Sequence, residues 1–282
     1  MQWLTPLFSR GNPVIDRAFT PVFVGGVGRS GTTVLQALVC TSASTSPYIA
    51  ECSYFADLVA VLPAALAGFE DHAASYFSDR RELSEYHFKI LRDVLGDIWR
   101  RLGKQRYLAL KHPPMTKHFD ILRQAFPHAK FLVAVRDPRD VIQSRIDVHR
   151  RMRAPGTQDP VGELEFFCQD YIDHNALFAN HREAFGDRLL LVPYDSLVTG
   201  RETRRISEFL GVTDIDPERV WQRGVTDVTE YKRKGDPWMT PSYGEPMSTD
   251  SIGRHKSRMP EEVADYILER CGATARALGL DL

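Results

Sequence analysis

Four short stretches of the chain carry residue types that bind or move charge. The first is Gly28-Arg29-Ser30-Gly31-Thr32-Thr33, where a cation and three hydroxyls crowd onto a glycine-rich turn. An apolar run, Val22-Phe23-Val24, precedes it, and an apolar helical run, Val34 to Val39, follows. A strand, a glycine turn and a helix in that order aim successive backbone N–H groups at one point, with the positive end of the helix dipole behind them. The stretch therefore predicts an anion cradle. The second stretch is Lys111-His112 and the third is Arg136-Asp137-Pro138-Arg139-Asp140, each directly after an apolar run. The fourth is Glu51, delivered by a Ser-, Thr- and Pro-rich loop over residues 41–50.

The cradle departs from the two common nucleotide-binding patterns. Gly26 and Gly31 have the spacing of the triphosphate loop, but Thr32 stands where that pattern requires Lys. Gly26-Val27-Gly28 followed by Gly31 matches the dinucleotide glycine spacing. No acidic residue ends a second strand some 20 residues on, as that pattern needs, because Glu51 lies in a poor strand context.

The elements that must position these residues alternate along the chain. Apolar runs at 22–24, 107–110, 130–135 and 189–192 read as buried strands. Helical spacing is expected over 34–40, 55–66, 70–102, 117–126, 141–151, 161–183, 202–210 and 261–278. Such alternation predicts an α/β fold, a parallel sheet covered by helices on both faces, in a single domain over 1–282. Charged strand ends then fall where open α/β sheets place ligand contacts. Residues 1–20 read as an irregular lead-in and 224–258 as a long loop over the site. The run Arg145, His149, Arg150, Arg151, Arg153 reads as a solvated helix end, with a ligand patch that includes Arg145 or Arg150 as the alternative. The aromatics of 54–88 and Tyr231, Trp238 and Tyr243 read mainly as core, with a pocket lining as the alternative.

Composition bounds the partners. Over 282 residues, 43% are hydrophobic and 26% charged, as in a globular protein, and the net charge of −1 draws the chain neither to nucleic acid nor to a membrane. Four dispersed cysteines without C-x-x-C spacing suggest a reducing compartment and neither a disulfide framework nor a zinc site. With no apolar run of 18 residues and a polar start, a cytoplasmic protein is expected.

In order along the chain, these motifs resemble the sulfotransferases that use 3′-phosphoadenosine 5′-phosphosulfate (PAPS). Gly28-Arg29-Ser30-Gly31-Thr32-Thr33 is similar to their 5′-phosphosulfate loop, in the form seen in bacterial and tyrosylprotein members. Phe131 to Ser144 resembles their 3′-phosphate segment, with Arg136 and Ser144 at the family's spacing. Leu110-Lys111-His112-Pro113 resembles the strand end with the catalytic lysine, and Tyr194-Asp195-Ser196-Leu197-Val198 a further recurring block. The resemblance implies a P-loop-like fold and sulfuryl transfer to a small-molecule, lipid or glycan hydroxyl, without a metal. It implies Gly28, Arg29, Ser30, Gly31, Thr32, Thr33, Arg136, Ser144 and Tyr194 as donor contacts, with Arg254 or Lys256 from a late loop. Lys111 and Arg29 would stabilise the leaving oxygen, and Glu51 or His112 would take the acceptor's proton. A P-loop-type kinase and a non-catalytic protein that binds the product, adenosine 3′,5′-bisphosphate (PAP), are the competing functions. The bland alternative for Lys111 is a solvated lysine at a strand end.

Overall fold

Four apolar runs pair side by side, all parallel, in the order β2-β1-β3-β4. They are β1 (Thr20–Gly25), β2 (Tyr107–Lys111), β3 (Lys130–Val135) and β4 (Leu189–Pro193). The computed structural model describes residues 18–153, 160–225, 235–240 and 242–282. Most of the expected lead-in and residues 226–234 and 241 of the expected long loop, with Tyr231 among them, lie outside the described residues.

Alternation along each strand divides the core. Phe23, Leu108, Leu110, Phe131 and Val133 face α2 (Ser53–Ala67), α4 (Arg80–Arg101) and α5 (Phe119–Ala125) in one cluster. Val22, Val24, Ala109, Leu132, Ala134 and Val192 face α1 (Thr32–Val39) and α9 (Thr203–Leu210) in a second. A third cluster joins α6 (Pro138–Met152), α7 (Leu164–His181) and α10 (Glu261–Ala277) through Val141, Ile146, Phe167, Tyr171 and Ile267. Both sheet faces are thus covered, as the alternating pattern predicts. No single helix among the described residues is long and apolar enough to cross a membrane.

Departures from the expected elements have local causes. The stretch 70–102, expected as one or two helices, divides into α3 (Phe69–His72), a 3₁₀ turn (Ala73–Ser75) and α4. Asp79 starts α4 afresh by accepting the Glu82 N–H at 2.8 Å. Pro113-Pro114 lacks two N–H donors, so the stretch before α5 winds as a 3₁₀ segment (Pro113–His118). Tyr194–Val198, read only as a strand end, forms a short helix, α8.

The strand order places the site. From β1 the chain crosses to β2 on one side, and from β3 to β4 on the other, so a crevice opens between the carboxyl ends of β1 and β3. The cradle follows β1 and Arg136 follows β3.

Candidate functional site

The turn between β1 and α1 is held open by unusual backbone. Gly31 caps α1 at φ 101°, and a Cβ there would lie 2.5 Å from the Tyr194 ring. Arg29, although not glycine, adopts φ 79°, a conformation that costs a side-chain-bearing residue roughly 1–2 kcal/mol. Strain of this kind persists where surrounding contacts enforce it. Here the Arg29 carbonyl accepts Arg136 Nη1 at 3.1 Å, its Nε donates to Ser144 Oγ at 3.1 Å, and its Nη1 donates to the Trp238 carbonyl at 2.8 Å. Ser144 and Trp238 thus hold the Arg29 side chain, while Arg136 holds its main-chain carbonyl.

Arg136 is buried and stacked, its guanidinium carbon 4.1 Å from the Tyr194 ring centroid. It also donates to the Ser251 carbonyl and lies 3.5 Å from the Asp140 carboxylate. Asp137, its sequence neighbour, is occupied elsewhere: it caps α6 and pairs with Arg139. Arg136 Nε is buried without a hydrogen-bond partner among the described residues.

Two neighbouring cavities meet at the cradle. One, of about 410 Å³, is lined by Arg136, Ser144, Tyr194 and Arg254. The other, of about 540 Å³, is lined by Gly28, Glu51, Lys111 and His112. Arg29, Thr32, Thr33 and Tyr243 belong to both, and the Tyr243 hydroxyl donates to Thr33 Oγ1 at 3.0 Å.

Lys111 is no solvated lysine. It is 2% exposed, and its Nζ donates to Glu51 Oε1 at 2.6 Å. The other Glu51 oxygen meets His112 Nδ1 at 3.0 Å, so the two alternative bases form one hydrogen-bonded unit. Burial alone would raise the Glu51 pKa. The hydrogen bonds from His112 and Lys111 and the Lys111 charge outweigh it and hold the carboxyl at about 2.

Other expected site residues fall differently. Ser30 lines neither cavity, and its hydroxyl is buried beneath the turn against Gly26, without a partner among the described residues. Lys256 is exposed and lines neither cavity, whereas Arg258 joins Arg254 on the smaller one. Asp140 fixes that late segment: it accepts the Gly253 and His255 N–H groups at 2.8 and 3.0 Å and pairs with His255 Nδ1 at 2.8 Å. Trp238 and Tyr243 line the larger cavity, while Phe55 and Phe69 are core and Tyr54 and Tyr76 are exposed.

Arg145 corrects the reading of a solvated helix end. The helix α6 runs on to Met152, so Arg145 lies mid-helix, packed against α7 with its guanidinium carbon 5.0 Å from the Phe167 ring centroid. It lines the larger cavity with Asp170 and His174, which sequence patterning did not single out. Both stand on a helix whose face toward α6 only packing defines.

The cradle glycines make separable predictions. A Cβ at Gly28 would meet nothing within 4 Å, so Gly28→Ala should melt within a degree or two of the parent while obstructing whatever the turn binds. Gly31→Ala should lower the melting temperature by several degrees, since strain of roughly 1–3 kcal/mol adds to the Tyr194 clash. Thermal melts of the two variants, with anion affinity alongside, check both.

Comparison with known proteins follows the same lines. A model described as the Sulfotransferase family matches residues 21–217. Omega-hydroxy-beta-dihydromenaquinone-9 sulfotransferase Stf3 from Mycobacterium bovis and from Mycobacterium tuberculosis are each 30% identical to the chain over 142 residues. The match covers 48% of this chain and 36% of each relative, so it spans little more than a third of their length. Two solved structures share the fold. A sulfotransferase domain from the curacin biosynthetic pathway is 15% identical, covering 90% of this chain and 98% of its own, with a TM-score of 0.56. The sulfotransferase domain of the Synechococcus PCC 7002 olefin synthase is 19% identical over 100% of both chains, with a TM-score of 0.55.

Proposed function

The chain belongs to the sulfotransferase family, and from that footing we propose that it transfers a sulfuryl group from PAPS to a hydroxyl acceptor. The observation that carries this reading is the junction of two cavities at Arg29, Thr32 and Thr33, one rich in phosphate-binding groups and the other holding a buried lysine and a carboxylate.

The residues present fit the donor. Arg136 Nε is a buried donor without a partner among the described residues, and the open space at Gly28 allows close backbone approach. The turn's backbone N–H groups with Arg29, Thr32 and Thr33 would hold the 5′ end. Arg136, Ser144 and Arg254 would hold the 3′-phosphate, with Tyr194 stacked behind Arg136. PAPS supplies a sulfuryl group joined to a bisphosphate leaving group.

Positioning and fixed charge then supply most of the catalysis, as in the related phosphoryl transfers. Lys111 offsets negative charge that builds on the leaving oxygen, with Arg29 assisting. To do so it gives up its contact with Glu51. Without that cation the Glu51 carboxylate regains basicity and accepts the acceptor's proton, while His112 keeps hold of its second oxygen. The lysine and the glutamate thus hold each other in reserve until the donor is bound. Tyr48, Ala50, Pro113, Pro114 and Met239 give the larger cavity walls suited to an apolar acceptor body, a small molecule or a lipid. The mycobacterial relatives' name, which specifies a menaquinone hydroxyl, agrees with that class. Family membership and Thr32 in place of the P-loop lysine argue against the kinase reading.

Calorimetry tests the donor site. PAP should bind, and Arg136→Met should weaken it by about 30-fold or more, since losing one partner of a buried charged contact typically costs about 2–5 kcal/mol. Affinity for 5′-AMP, which lacks the 3′-phosphate, should change little. A parent protein that ignores PAP would overturn the proposal.

A further inference from the structure

The larger cavity has a second charged wall that the transfer step does not use. Arg145, on α6, is 8% exposed, and His174, on α7, is 5% exposed. Both line this cavity together with Asp170. Asp170 ties the group together: it accepts from Arg145 Nη1 and, at 2.7 Å, from Lys117 Nζ. The Asp170 main-chain carbonyl accepts His174 Nδ1 at 2.8 Å, and the Asp170 carboxylate lies 3.2 Å from the same nitrogen.

Arg145 has donors to spare. Its bond to Asp170 uses one of five N–H groups, and its Nε is buried without a partner among the described residues, as is His174 Nε2. Two cations, Arg145 and Lys117, share the Asp170 carboxylate. Asp236 on the same cavity lining is engaged by the Trp238 N–H at 2.8 Å. Buried donors left unpaired are costly, and an Arg fork already stacked on Phe167 and pinned by Asp170 is preorganised for a planar oxyanion.

We propose that the acceptor is a hydroxy acid: its hydroxyl lies at Glu51 and Lys111, its apolar body against the Pro113-Pro114 wall, and its carboxylate is held by Arg145 beside His174. This inference rests on the transferase reading above and names the substrate class of that site. Arg145 acts as a specificity residue, selecting acceptors by charge.

The test uses the PAP-loaded protein and matched probes, 4-hydroxyphenylacetate and an ω-hydroxy fatty acid, each against its methyl ester, followed by calorimetry. The acids should bind about tenfold or more tightly than their esters, the worth of a charged hydrogen bond at a buried site. Arg145→Gln should erase that preference. Arg145→Lys, which keeps a charge for Asp170 without the planar fork, should melt near the parent, keep PAP affinity and still lose most of the preference. Equal binding of acids and esters, or of neither, with PAP still bound, overturns the hydroxy-acid inference alone. So does an equal loss of PAP affinity in both Arg145 variants, which would place this side chain on the donor. A parent protein that does not bind PAP instead overturns the reading beneath.

Discussion

Lys111→Met is expected to lower kcat by about 10²–10³ while leaving the fold and most of the PAP affinity in place. The magnitude is that of removing one group aimed at charge that develops only in the transition state. Lys111 ends β2, 2% exposed, and its charge is compensated by a half-exposed Glu51 that keeps a second partner in His112. Methionine is apolar and of similar length, so the variant buries no unpaired charge and opens little space. Melting temperature should therefore move little, and rate should move greatly. Single-turnover measurements with PAPS, with PAP calorimetry alongside, separate the two effects. Unchanged turnover would mean that Lys111 does not stabilise the leaving oxygen. Binding of PAP with no turnover in the parent protein would favour a non-catalytic binder.

Glu51→Gln should cost about 10²–10⁴ in kcat, the range expected for a positioned general base. Glutamine keeps the side chain's shape and its contact with His112 but cannot accept the acceptor's proton, so PAP affinity should hold. His112→Ala should cost less, because it removes only a group that orients the carboxylate. The pH dependence distinguishes them. Glu51 has its pKa lowered from the ordinary 4.5 to about 2 in the fold. A carboxyl with a depressed pKa contributes stability that is complete above its ordinary value and is lost as pH falls through the folded value, here between about 4.5 and 2. At pH 5–8 it is fully ionised in the free protein, so kcat/KM for PAPS should show no acid limb in that window. A larger loss of rate for His112→Ala than for Glu51→Gln would transfer the role to His112.

The two predictions depend on facts of different origin. That β1, a glycine turn and α1 follow one another was legible in residues 22–39, because glycine freedom and apolar and helical periodicity are properties of neighbouring residues. The same holds for the four strands and for Lys111 and Arg136 at their ends, since apolar runs and the charges that stop them are local signals. The pairing of Glu51 with Lys111 joins residues 60 positions apart, and only the descent of the 41–50 loop beside β2 brings them within hydrogen-bond distance. The late loop shows the limit again. Arg254, Lys256 and Arg258 are alike in sequence, but the anchoring of Gly253 and His255 on Asp140 places the first and third on the lining of the smaller cavity and leaves the second off it.

The strand–turn–helix unit, the parallel α/β architecture and the charged strand tips can be read along the chain, because each is written in the conformational preferences and apolar periodicity of adjacent residues. Packing puts Arg145 on a cavity wall and not at a solvated helix end, and it brings Glu51 within hydrogen-bond distance of His112. The physical reason is that which face of a helix is buried, and which distant side chains share a hydrogen bond, depends on how elements pack across the sheet, where many arrangements satisfy the same local pattern.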